Sequence, residues 1–87
     1  MNFTKKDLKA FCRMVRVLKG AEIDINSTIL DYLNDFNNLS AYRYSRDYCV
    51  VEIGSFIIIR TCFDLMIIEN PDIVYRNPTD EDEKEAS

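Results

Sequence analysis

Across residues 4 to 19, TKKDLKAFCRMVRVLK, the apolar side chains recur at a helical spacing. At about 100° per residue, Leu8, Phe11, Cys12, Val15 and Leu18 fall on one side, which predicts an amphipathic helix with that side against a core. Thr4 is the expected N-cap, Asp7 sits at the third helical position where the dipole favours an acid, and Gly20 is the expected stop. Residues 21 to 26, AEIDIN, read as a short connection, and a second helix is expected to start at Asn26 or Ser27, both good capping types. Ile29, Leu33 and Phe36 share its apolar face with Leu30 beside them, and Asn37 and Asn38 end it. Packing of the two helices predicts an antiparallel pair.

From Leu39 the period changes from helical to alternating. YCVVEI and FIIIRT flank Gly54 and Ser55, which predicts a two-residue hairpin with glycine first, as a type II′ turn prefers. In that register Cys49, Val51 and Ile53 oppose Arg60, Ile58 and Phe56 on one face. Tyr48, Val50, Glu52, Ile57, Ile59 and Thr61 occupy the other. An antiparallel hairpin with a wet side shows one polar face, and here both are largely apolar, so cover is expected on both sides. DLMIIEN predicts a third strand, with a short helix as the alternative because Thr61 and Asp64 fit a capping box. Asn70 and Pro71 break it, and DIVYR reads as a further edge strand. The expected fold is α+β, in the order α, α, β, β, β, with both helices packed on a small antiparallel sheet. Residues 1 to 78 form one domain, and residues 79 to 87, TDEDEKEAS, form an acidic disordered tail. The doubly apolar hairpin calls either for helices on opposite faces or for a second copy. The homodimer is the preferred expectation, because two short helices give limited cover.

Tyr48 to Ile68 is long and apolar enough to raise the question of a membrane span. It contains Glu52, Arg60 and Asp64, each costing roughly 2.5 to 3.5 kcal/mol near a bilayer centre, so a buried sheet is expected and no membrane. The chain of 87 residues, 47% hydrophobic and 30% charged, fits one packed domain of thin stability margin. Cys12, Cys49 and Cys62 have no CxxC spacing and no histidine beside them, which excludes a zinc framework and an even disulfide set. They are expected as reduced, mostly buried thiols in a cytoplasmic protein whose N-terminus carries no secretory signal pattern. Ten isoleucines and seven asparagines, types with AT-rich codons, point to an AT-rich genome such as those of many phages.

Charge changes the picture more than composition does. Residues 1 to 20 carry a net +5 and the remainder a net −9, within a total of −4. Lys5, Lys6, Lys9, Arg13, Arg16 and Lys19 gather on the side of the first helix next to its apolar stripe, and are the candidate partner-binding residues. Such a face meets an acidic protein surface or phosphates, whose counterions it would release; the plain alternative is a solvated face. In AYRYSRDY, the alternation places Tyr42, Tyr44, Arg46 and Tyr48 together on a strand. With Arg43, Tyr42, Tyr44 and Arg46 form a candidate nucleic-acid patch, for RNA or single strands, although no defined RNA-binding motif accompanies them. The residues for an enzyme are missing: there is no histidine, nucleophile elbow, phosphate loop or carboxylate cluster at metal spacing, so no cofactor or metal is expected. Glu52, Arg60 and Asp64 are noted as a possible buried charged group. The sequence therefore suggests a non-enzymatic interaction protein of the phage or mobile-element type, inhibiting or regulating a partner through its basic helix. A nucleic-acid-binding accessory protein is the alternative.

Overall fold

The computed structural model describes residues 1–21, 24–61 and 64–77; the acidic tail and Cys62 lie outside them. A 3-10 turn, Lys5–Asp7, leads into helix α1 (Leu8–Leu18), followed by α2 (Ile25–Leu33). Five strands complete the chain: β1 (Leu39–Tyr44), β2 (Tyr48–Ile53), β3 (Phe56–Thr61), β4 (Leu65–Glu69) and β5 (Asp72–Asn77). They form one antiparallel sheet in the order β1-β2-β3-β4-β5. The fold is thus α+β with two N-terminal helices on a sheet. Two edge strands extend the sheet beyond the central three.

The expected cap Thr4 opens the 3-10 turn, with Asp7 in its capping box, and α1 itself follows from Asp7. The Asp7 carboxylate accepts from the Thr4 backbone N–H at 2.7 Å and from its hydroxyl at 3.2 Å. Helix α2 starts earlier than expected, because Asp24 rather than Asn26 or Ser27 is its cap and accepts from the Ser27 N–H at 3.2 Å. Asn26 is instead almost wholly buried. Its side-chain amide donates to the carbonyls of Ser45, Arg46 and Tyr48, at 2.7, 3.3 and 3.1 Å, and its oxygen accepts from Arg60 Nη1 at 3.1 Å. One short side chain thereby ties α2 to the β1–β2 turn and to β3.

The central hairpin has the expected register, Ile53 opposite Phe56 and Cys49 opposite Arg60. Gly54 has φ +57°, the left-handed region where a side chain is costly. A Cβ there would also lie 2.6 Å from Asn38 Nδ2. Asn38 accepts from the Phe3 N–H and donates to the Phe3 carbonyl, both at 2.9 Å, and so fastens the N-terminus beside the hairpin. Thr61 and Asp64 exchange side-chain hydrogen bonds at 3.2 Å across the β3–β4 connection. The capping-box signal serves a turn, and the strand reading of DLMIIEN holds from Leu65.

All buried sheet residues belong to one face: Cys49, Val51 and Ile53, Phe56 and Ile58, Leu65 and Ile67. Phe11, Cys12 and Val15 of α1 and Ile29, Leu30 and Leu33 of α2 pack against them. Phe3 stands at the centre of an aromatic cluster, edge-on to Phe11, Phe36 and Phe56 at centroid separations of 5.1 to 5.9 Å. Edge-to-face pairs add roughly 0.5 to 1.5 kcal/mol each beyond simple burial. Both helices therefore lie on the same face of the sheet, and the expected alternative of helices on opposite faces is corrected. The reason is visible in the pattern: the two helices present narrow apolar stripes that a single sheet face satisfies.

Candidate functional site: a basic groove beside the last strand

The second face of the sheet carries Val50, Ile57, Ile59, Met66 and Ile68, all partly exposed, and Ile73 at 57% exposure. Arg43, Glu52 and Arg76 flank them. Among the described residues, no element covers this apolar face.

On the helix side, a groove of about 440 Å³ runs between α1 and β5. Lys5, Lys9, Arg13 and Arg16 line it, and Leu8, Cys12, Val74 and Tyr75 form its remaining surface. The helical period explains the cations, since positions 9, 13 and 16 rise one above another along one side of α1 and Lys5 precedes them on the 3-10 turn. The sheet explains the rest: a register shift between Ile67 and Ile68 leaves Val74 as an extra residue next to Tyr75, which is opposite Ile67 on the helix side. Arg16 Nη2 donates to the Tyr75 hydroxyl at 3.5 Å, the outer limit of a hydrogen bond. Four of the six expected partner-binding residues thus converge on one concavity. Lys6 and Lys19 are exposed on the same segment without lining it.

The Cys12 thiol lies in the groove wall yet is buried, and burial pushes it up to about 11, with only partial opposition from the Tyr75 hydroxyl and Arg16. Cys49 is likewise raised to about 11 by burial. Both thiols are free and protonated near neutral pH. Burial also raises the Tyr75 hydroxyl above its usual range.

The expected nucleic-acid patch is divided. Tyr42 and Tyr44 pair with Val51 and Cys49 and so point to the helix side, exposed at the β1 edge. Arg43 pairs with Val50 on the open face, and Tyr48 shares that face with it. The expected grouping of Tyr42, Tyr44, Arg46 and Tyr48 fails because the β1–β2 turn intervenes and Tyr48 begins the next strand in the opposite phase. Tyr44 and Arg46 do meet in a second cleft of about 530 Å³, with Asp24, Ile25, Ser45 and Arg60.

Glu52, Arg60 and Asp64 do not form a group. Glu52 is exposed on the open face, Arg60 turns to Asn26 on the helix side, and Asp64 pairs with Arg76 at 3.1 Å. Among the described residues, no three acids or cysteines stand together as metal ligands would. No helix among them is long and apolar enough to cross a membrane.

Sequence reasoning missed Asn26 and Asn38 as polar clamps and Val74 and Tyr75 as the groove's second wall. A lone asparagine carries no pattern, and β5 met α1 only through folding. No family model, curated protein or solved structure matches the chain.

Proposed function

We propose that this chain is a small non-enzymatic interaction protein, of the kind phages and mobile elements use in the cytoplasm to inhibit or regulate a partner, and that it binds an acidic protein surface through the α1 groove. The observation that carries this reading is the convergence of Lys5, Lys9, Arg13 and Arg16 on one groove with an apolar floor. A merely solvated cationic face has no need of a concave shape or of apolar residues between the charges. The cations supply orientation and on-rate, and the floor supplies the contact that desolvates. The test is a pull-down with all four cations reversed to glutamate: the bound partner is expected to disappear, and undiminished capture refutes the reading.

The same reading includes a homodimer through the open sheet face. Two cross-strand rows lie on it, Arg43, Val50, Ile59, Met66, Arg76 and Ala41, Glu52, Ile57, Ile68, Ile73. A two-fold axis in the contact plane, crossing the strands, sets each row against the other row of the second copy. Val50 then faces Glu52 of that copy, and Arg43 lies one strand away from that carboxylate. At about 4.8 Å per strand the face is roughly 20 Å wide, a scale at which exposed apolar patches mark interaction surfaces.

A second reading, binding of RNA or single strands, is favoured by Tyr44 and Arg46 meeting Arg60 in one cleft. It predicts a gel shift strongest at low salt, and no shift there removes it.

A further inference from the structure

The groove's dimensions specify its ligand more closely than its charge does. Lys5, Lys9 and Arg13 are spaced four residues apart, and Arg13 and Arg16 three. At about 1.5 Å per residue the four cations form a ladder with rungs about 4.5 to 6 Å apart, spanning about 16 Å. Spread over that length, the roughly 440 Å³ open to the centres of water molecules is about 5 Å across, which makes the channel about 8 Å from wall to wall. A helix is about 10 to 12 Å in diameter with its side chains and does not enter. An extended chain does, and its alternate residues are about 6.6 Å apart on one side, close to the rungs of the ladder. Its remaining side chains point the opposite way, toward Val74 and Tyr75 of β5.

We propose that the groove takes an extended acidic peptide segment in which carboxylates alternate with apolar residues, the carboxylates meeting Lys5, Lys9, Arg13 and Arg16 and the apolar residues covering Val74 and Tyr75. This inference rests on the reading of the groove as a protein-binding site. Charge complementarity selects the occupant. A second copy of the basic helix would be repelled there, and the chain's own TDEDEKEAS has the charge but lacks apolar residues larger than alanine for the floor. A nucleic-acid strand has the charge too, but among the described residues Tyr75 is the single aromatic side chain lining the groove on which its bases could stack.

The experiment is fluorescence polarisation at low salt with three labelled probes on the full chain. These are a nonapeptide alternating Glu and Val, a nonapeptide of the same composition with its glutamates and valines in separate blocks, and a single-stranded oligothymidine. The alternating peptide is expected to bind at least about tenfold more tightly than the block peptide, and to lose binding with Lys9→Glu and Arg13→Glu together. It is also expected to shift the methyl resonances of Leu8 and Val74, a readout that needs no substitution in the floor. Equal binding of the two peptides overturns the extended alternating mode and leaves the basic groove as a protein-binding site. If neither peptide binds, both that mode and the acidic-partner reading fall. Tighter binding of oligothymidine than of either peptide overturns the peptide in favour of the nucleic-acid reading.

Discussion

Asn26 shows how much one residue can organise. Its amide and carbonyl groups satisfy three main-chain carbonyls and one guanidinium inside a part-buried junction. Replacement by alanine leaves those partners without compensation, and a buried polar group so stranded costs about 1 to 3 kcal/mol. Asn26→Ala is therefore expected to lower the unfolding free energy measured in urea by an amount in that range, and an unchanged value would show the junction to be hydrated rather than bonded. The thiols make a separate prediction. Burial favours the neutral form of Cys12 and Cys49, so each holds its proton more tightly in the folded chain than in the unfolded chain, where the pKa is 9.0. Their stabilising contribution is full below about pH 9 and is lost as the pH rises toward about 11, on the order of 2 kcal/mol per thiol. Urea unfolding is expected to weaken across that window, and Cys49→Ala to flatten the decline relative to the parent chain.

At the scale of elements, α1 does two jobs on two sides. Its apolar stripe closes the core and its cations overhang β5, so the two can be separated by mutation. Lys9→Glu with Arg13→Glu touches exposed positions and is expected to shift stability by no more than about 0.5 kcal/mol each while abolishing capture of an acidic partner. Circular dichroism melts beside the pull-down check both halves of that statement. The hairpin turn behaves differently, since Gly54 is held at positive φ with Asn38 directly above it. Gly54→Ala is expected to destabilise by at least about 1 kcal/mol, through left-handed strain and displacement of the Asn38 clamp on Phe3. A melting temperature equal to that of the parent would count against this account.

Over the whole molecule, the decisive feature is that both helices cover one face of a five-stranded sheet. The other face leaves five isoleucine, valine and methionine side chains partly exposed, with the more exposed Ile73 at its β5 edge. Light scattering is expected to give a dimeric mass, and Ile59→Glu, at the centre of the open face, a monomeric one that still folds. A monomeric parent chain would refute the dimer and leave the groove unaffected, because the two surfaces lie on opposite sides of the sheet.

The amino-acid sequence by itself determined the local elements, because they depend on periods and caps that lie within a few residues of one another. The helical recurrence of Leu8, Phe11, Cys12 and Val15 and the alternation around Gly54 needed no distant partner, and the hairpin register followed from the turn. The basic side of α1 was legible for the same reason, as a pattern on one helix. Two expectations at this scale missed: the cap of α2, where Asp24 won because its carboxylate reaches the Ser27 N–H, and the common face of the tyrosines, where the turn reset the phase. The tertiary structure alone decided where faces meet. Which side of the sheet both helices choose, and that β5 supplies Val74 and Tyr75 to the cations of α1, depend on packing between residues about sixty positions apart. Such contacts leave no periodic trace, so the basic stripe became a groove only when the last strand folded beside the first helix.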